Sequence, residues 1–232
     1  MDFRGRHVVV TGGTGALGIA VTGALLEAGA TCHVPYRSED EAKRFPHRAH
    51  KDVSLVALGN LADEAAVARF YGGLSLWASI HIAGSFAFAP IGETGKSVLM
   101  QQLDSNLIST YLCCRAAVAA FQRAGAGGRI VNVASRQGIE PRQGANLTAY
   151  AAAKAGVAAL TMALAEEVAK DGILVNAVAP SLMDTAANRK AMPKADFSAW
   201  PKVEEVAATI LFLAAPENKV TRGAVVPVYG RV

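Results

Sequence analysis

Short apolar runs rich in β-branched residues alternate with longer stretches of helical character along this chain. The runs are His7 to Thr11, Thr31 to Tyr36, Ser54 to Leu58, Ser79 to Ala83, Arg129 to Ala134, Ile173 to Val178 and Ala224 to Val228. Most read as continuous apolar segments rather than as strict alternations, which is the pattern of strands buried on both faces. Between them lie predicted helices at Ile19 to Glu27, Asp63 to Tyr71, Ser97 to Ala124, about 148 to 170, and Val203 to Ala214. Strand and helix in turn predict an α/β protein with a parallel sheet. Thr148 or Asn146 is the expected cap of the fourth helix, Glu166 and Lys170 an i,i+4 pair near its end, and Asp171-Gly172 its stop.

The uncharged span from Val8 to Leu26 is long enough to suggest a membrane crossing. Gly12, Gly13, Gly15 and Gly18 crowd its middle, however, so strand, turn and helix fit better. The start of the chain lacks the charged head and cleavage site of a signal peptide, and a soluble cytoplasmic protein is expected. Its 232 residues suit one domain with one good core, and no repeat or low-complexity linker divides them. With 52% apolar and 18% charged residues and a net charge of +4, the chain is only mildly basic. No run of Lys and Arg interleaves with aromatics, which argues against a nucleic-acid partner. Cys32, Cys113 and Cys114 lack metal spacing and read as small buried residues; the five histidines form no ligand pattern either, so no metal is expected.

Candidate chemistry begins at the first turn. Gly13-Thr14-Gly15-Ala16-Leu17-Gly18 is a G-x-G-x-x-G placed between a strand and a helix. In that context glycines allow a pyrophosphate to approach the backbone, and the helix N-terminus stabilises its charge. An ordinary tight turn is the alternative. The tip of the second strand, Tyr36-Arg37-Ser38, has no acid to take the ribose hydroxyls of NAD. Arg37 is instead suited to the 2′-phosphate of NADP, unless it is simply solvated ahead of Glu39, Asp40 and Glu41. Asn60, followed by Leu61, is placed to accept from an adenine amino group or to cap a turn. Ala83 and Gly84 end the fourth strand, where a missing side chain leaves a cofactor room.

The segment Ser135 to Lys154 carries the strongest signal. Ser135 follows the fifth strand, at the sheet edge where ligands sit in open α/β folds. On an alanine-rich helix, Tyr150 and Lys154 lie at i and i+4 and share a face. A cation beside a phenol favours the phenolate and yields an acid–base group usable nearer neutral pH. Taken alone, the pair is a weak signal and reads as a surface Tyr and Lys on an alanine-rich helix. Asn106, in mid-helix, is an unfavourable helix residue that is either functional or merely packed. Ser181 to Pro201 is irregular but contains Leu182, Met183, Met192, Phe197 and Trp200, which suggests a lid over a pocket or a loop packed on the core.

Together, Thr11-Gly12 through Gly18, Asn106, Ser135, Tyr150 with Lys154, Asn176-Ala-Val-Ala-Pro180, and Val220-Thr-Arg-Gly223 through Gly230 resemble the short-chain dehydrogenase/reductase family over nearly the whole chain. The resemblance implies a Rossmann-type, doubly wound, seven-stranded parallel sheet and NAD(P)-dependent interconversion of a carbonyl and an alcohol. It implies that Tyr150 is the general acid/base, Lys154 holds the nicotinamide ribose and lowers the Tyr150 pKa, Ser135 binds the substrate oxygen, and Asn106 keeps a water in a proton relay. By the same resemblance the cofactor contacts are Gly12, Thr14, Gly15, Leu17, Gly18, Arg37, Ser38, Asn60, Leu61, Ala83, Gly84, Tyr150, Lys154, Pro180 and Thr185, with NADP(H) preferred and NAD(H) possible. A small carbonyl or alcohol is the implied partner, and the long helices would pair into a homodimer or homotetramer through residues such as Leu160 and Leu164.

The chain also departs from the family pattern. Ala16 stands where a Gly is usual, Asn60-Leu61 replaces an Asp-initiated pair, Ser181 replaces the Gly after Pro180, and His81-Ile82-Ala83-Gly84 replaces Asn-Asn-Ala-Gly, a motif that braces the central sheet. The span between Ser135 and Tyr150 is about two residues longer than common and sets Arg136, Glu140, Arg142 and Gln143 beside the expected pocket. Two rivals accompany the oxidoreductase reading. One is a catalytically silent nucleotide-binding sensor or scaffold of the same fold; the other is an epimerase or dehydratase, whose expected extra substrate domain 232 residues are too few to accommodate.

Overall fold

A computed structural model describes residues 1–231. Among the described residues, seven strands form one parallel sheet: β1 His7–Thr11, β2 Thr31–Tyr36, β3 Val53–Ala57, β4 Ala78–His81, β5 Gly128–Val133, β6 Ile173–Pro180 and β7 Val225–Val228. Their order is β3-β2-β1-β4-β5-β6-β7, the doubly wound arrangement that the family resemblance implies. The helices are α1 Ala16–Glu27, α2 Glu39–Arg44, α3 Glu64–Gly72, α4 Lys96–Gln102, α5 Ser109–Ala124, α6 Arg136–Ile139, α7 Thr148–Glu167, α8 Ala186–Ala191 and α9 Val203–Ala214.

Strand periodicity sorts β1 between two cores. Val8 and Val10 join the layer formed with Val21 and Leu25 of α1 and Val206 and Ile210 of α9. Val9 faces the other way, toward Val67 of α3, Cys113 and Ala117 of α5, and Ala165 of α7. The apolar stretch from Val8 to Leu26 is thus strand, turn and helix. The helix α7 is apolar and long enough to cross a membrane by composition, but it packs against β5, β6 and the helices beside it. All three cysteines are free and buried.

Between β4 and β5 the sheet holds an uninterrupted chain of polar side chains. The Tyr71 hydroxyl meets Ser79 Oγ at 2.8 Å, Ser79 Oγ meets His81 Nε2 at 2.8 Å, and His81 Nδ1 meets Asn132 Oδ1 at 2.8 Å. Asn132 Nδ2 then donates to Thr161 Oγ1 at 2.9 Å, and the Thr161 hydroxyl donates to Val157 O at 2.8 Å. Because Asn132 Oδ1 only accepts, the proton sits on His81 Nδ1, so Ser79 donates to Nε2 and Tyr71 donates to Ser79. His81 therefore supplies, in another chemical form, the brace that an Asn-Asn pair would provide.

Three local expectations are corrected. Leu147, not Thr148 or Asn146, precedes α7, and no side chain caps it; Asn146 instead takes a left-handed conformation, φ 61°, in the turn before it. The helix ends at Glu167, followed by a 3₁₀ turn, Ala169–Asp171, and Glu166 pairs with Arg222 at 3.2 Å rather than with Lys170. The long helix predicted from Ser97 to Ala124 is two α-helices joined by a π-helical segment, Leu103–Ile108, with Asn106 inside it.

Candidate active site

A cleft of about 320 Å³ opens at the C-terminal ends of β1 and β4, where the strand order reverses direction. Its floor is the turn from Gly12 to Gly18. Gly12 has φ +69°, and a Cβ there would lie 2.6 Å from Ala83 N. A Cβ on Gly18 would lie 2.1 Å from Gly12 O, so this close approach of turn and helix requires glycine. Gly15 differs: its Cβ would meet nothing closer than 3.4 Å, and its place is as the N-cap of α1. No side chain caps α1 and no acid occupies its first turn, so the helix's first N–H groups remain available at the cleft. That is the donor set a pyrophosphate needs.

Thr14, Leu17, Arg37, Asn60, Leu61, Ala83 and Gly84 line the cleft with these glycines. Asn60 Oδ1 also accepts from Ala62 N at 2.9 Å, the capping alternative raised by the sequence. Ser38 caps α2, accepting from Glu41 N, and Thr185 caps α8, accepting from Asn188 N. Neither they nor Pro180 line the cleft. Glu41, Ser85, Ser105 and Ser109 do, and sequence reasoning missed all four as site residues.

The four proposed catalytic residues converge beyond Gly84. A Cβ at Gly84 would lie 2.5 Å from Asn106 Oδ1 and 3.6 Å from Lys154 Nζ, so only glycine lets the cleft floor meet both side chains. The π-segment turns Asn106 inward, where Nδ2 donates to Ser85 O and Gln102 O, each at 3.0 Å. Gln102 in turn donates to Ser85 Oγ at 2.9 Å. Asn106 Oδ1 is buried with no hydrogen-bond partner. In a native core such an atom marks a site for a donor.

Lys154 is 5% exposed, and its ammonium donates to Val133 O at 2.7 Å. Burial without a counter-ion pulls its pKa down to about 8. Burial also raises the Tyr150 pKa, and the adjacent Ser135 hydroxyl opposes that rise. The Tyr150 value therefore moves opposite to the lowering expected from Lys154: burial of the phenol outweighs the Ser135 hydrogen bond, and the Lys154 ammonium donates to Val133 O. Ser135 caps α6, accepting from Gly138 N at 3.1 Å. A Cβ on Gly138 would lie 2.7 Å from the Lys154 carbonyl carbon, so this glycine lets α6 press Ser135 against α7.

Around the mouth, the Phe86 ring stands edge-on to Tyr150, centroids 5.1 Å apart. Phe86, Phe88 and Ile91 are all more than 60% exposed. Arg136 pairs with Glu140 at 2.9 Å and lies over the Tyr229 ring at 4.8 Å, while Arg142 is exposed. The segment 181–201 is internally tied: Arg189 binds Asp184 at 2.7 Å and covers Phe197, which packs on the buried Trp200.

The family model described as short chain dehydrogenase matches residues 6–196. The chain belongs to the short-chain dehydrogenase/reductase family. It is 31% identical to 3beta-hydroxysteroid dehydrogenase 1 of Eggerthella lenta, covering 99% of this chain and 94% of that protein. It is 33% identical to galactitol 2-dehydrogenase of Rhizobium johnstonii, covering 97% and 93%. Among solved structures, ElxO with NADP bound superposes with a TM-score of 0.88 at 26% identity, over 97% of each chain. The chain is accordingly an NAD(P)-dependent oxidoreductase with a Rossmann-like α/β fold.

Proposed function

We propose that this dehydrogenase/reductase interconverts a small carbonyl and its alcohol, with NADP(H) preferred and NAD(H) accepted, and with Tyr150 as general acid/base. The observation that carries this reading is the meeting of Ser135, Tyr150, Lys154 and the unpartnered Asn106 oxygen beside the glycine-floored cleft. When bound, the reduced nicotinamide supplies a hydride to the carbonyl carbon. The Ser135 hydroxyl orients the carbonyl oxygen, and the Tyr150 hydroxyl gives it a proton as negative charge builds there. The raised Tyr150 pKa keeps that hydroxyl protonated at neutral pH, which suits reduction. Lys154 holds the ribose side of the site, and Asn106 Oδ1 anchors a water that returns a proton toward Lys154. Arg37, at the tip of β2, supports a preference for the 2′-phosphate.

The substrate's flank is proposed to be apolar. Phe86 stands against Tyr150 with most of its ring exposed, and Phe88 and Ile91, which follow it in the chain, are exposed as well, while Arg136 is already matched by Glu140 and Tyr229. With Arg136 engaged in this way, an apolar contact is favoured over recognition of an acidic substrate group. Segment 181–201 is proposed as the lid. Exposed Tyr111 on α5 and Met162 on α7 support pairing of copies into a homodimer or homotetramer. A silent nucleotide sensor would have no need of a buried, uncompensated lysine, which is costly to keep.

The test is stoichiometric consumption of NADPH or NADH with a panel of apolar ketones, comparing wild type with Tyr150→Phe. Turnover in the wild type that falls by about two to four orders of magnitude in the variant is the expected result. Near-normal turnover in Tyr150→Phe would refute the assigned mechanism.

A further inference from the structure

The tip of β2 holds an acid that lies four residues beyond the position where one is sought. Glu41, in the first turn of α2, folds its side chain back over Arg37. Glu41 Oε2 accepts the Arg37 backbone N–H at 3.1 Å, and Glu41 Oε1 pairs with the Arg37 guanidinium at 3.2 Å. Its side chain is 23% exposed whereas that of Arg37 is 78% exposed, so the carboxylate is the better-fixed partner. Ser38 Oγ is occupied as well, accepting the Glu41 N–H at 3.4 Å. Among the residues lining the cleft, Glu41 is the only acid and Arg37 the only base.

A guanidinium and a backbone N–H converging at this tip are the donors that a 2′-phosphate would use. Both are already engaged by a carboxylate of the chain itself. A phosphate arriving here either displaces Glu41 or sits beside a like charge, and both alternatives weaken its binding. An unphosphorylated ribose meets a different site: its hydroxyls are donors, and Glu41 is an acceptor on the wall of the cleft.

We propose that Glu41 determines cofactor choice, standing as a built-in anion in the place of the 2′-phosphate, so that it weakens NADP(H), supports NAD(H) and lets the enzyme use both. The proposal rests on the reading of the cleft as a dinucleotide site. It also tempers the role of Arg37, which reads the phosphate only once Glu41 has released it.

Direct binding tests this without reference to turnover. Wild type, Glu41→Gln and Glu41→Ala, each shown by circular dichroism to be folded, are titrated calorimetrically with adenosine 2′,5′-bisphosphate, adenosine 5′-diphosphate, NADPH and NADH. Both variants are expected to bind the two 2′-phosphorylated ligands about tenfold more tightly, and the two lacking the phosphate about threefold more weakly. Unchanged or weaker binding of adenosine 2′,5′-bisphosphate in both variants would overturn the proposal, showing that Glu41 is a bystander or holds Arg37 ready for the phosphate. Failure of the wild type to bind any of the four ligands would instead bring down the site reading itself, and the proposal with it.

Discussion

Two polar clusters lie buried within this protein, and they are built on opposite principles. The chain from Tyr71 through Ser79, His81 and Asn132 to Thr161 is complete: each donor has an acceptor, and its imidazole is held neutral. The cluster of Asn106, Ser135, Tyr150 and Lys154 is incomplete, with an orphaned amide oxygen and a buried ammonium facing only a backbone carbonyl. A satisfied network fixes one arrangement of the core, whereas an unsatisfied one keeps interaction capacity for something that arrives later. The first cluster is therefore structural and the second chemical, although both touch α7.

The widest separation between them is in catalysis. Tyr150→Phe should leave folding and nucleotide binding intact and lower turnover by about two to four orders of magnitude, equivalent to roughly 3–5 kcal/mol in the barrier. Carbonyl reduction needs the protonated hydroxyl. Its rate should hold through neutral pH and decline only as pH rises through the elevated Tyr150 pKa. Steady-state kinetics alongside cofactor titration check both claims. An equal fall in cofactor affinity would mean that the ring serves structure, erasing the contrast.

Acid should break the structural cluster first. Burial pushes His81 down to about 4 from an ordinary 6.5, with the hydrogen bond to Asn132 opposing it. The unfolded chain binds a proton below pH 6.5 and the folded chain only below about 4, so between those values the unfolded state takes up more protons. Stability is therefore lost as pH falls through that window, by up to about 3 kcal/mol from this residue. Urea denaturation at pH 7.5 and pH 5 should show a steeper loss in wild type than in His81→Gln. Parallel curves would show that His81 does not carry the acid sensitivity.

Lys154→Met should move in the other direction, losing activity while gaining stability. A lysine whose pKa falls from 10.5 to about 8 pays for its buried charge below pH 8. Replacing it with an apolar chain of similar length should add about 1–3 kcal/mol at pH 7. Between pH 8 and 10.5 the unfolded chain binds the extra proton, so the wild type recovers and the gap closes as pH rises. Denaturation midpoints at pH 7 and pH 9.5 measure this. A destabilised variant at pH 7 would place Lys154 with the structural residues.

These contrasts also explain which parts of the molecule were legible in the sequence. The continuous run Val8–Val10 and the glycines after it identify β1 and its turn, because burial on both faces and close backbone approach leave few alternative residues. Tyr150 and Lys154 are legible through their spacing on an alanine helix. The π-segment around Asn106 is not, since the same residues are compatible with an ordinary helix and only tertiary contacts from Gln102 and Ser85 favour the wider turn. Glu41 escapes because the chain reverses between Arg37 and α2, bringing the acid back to the strand tip. His81 reads as a lost motif residue until its partners on β4 and β5 are seen to complete a network.

The smallest expected effect lies at the rim, where neither cluster reaches. Phe86 touches Tyr150 edge-on at 5.1 Å yet leaves most of its ring exposed, so it has apolar surface to offer a substrate and little to lose in folding. Covering part of that ring with an apolar substrate is worth about 1 kcal/mol at roughly 25 cal/mol per Å². Phe86→Ala should thus raise KM for apolar ketones by about three- to tenfold and leave kcat within about twofold, the pattern of binding lost equally from ground and transition states. For a small polar ketone the variant should behave as wild type. If kcat falls instead while KM holds, Phe86 orients Tyr150, and the boundary of the chemical cluster must be drawn one residue further out.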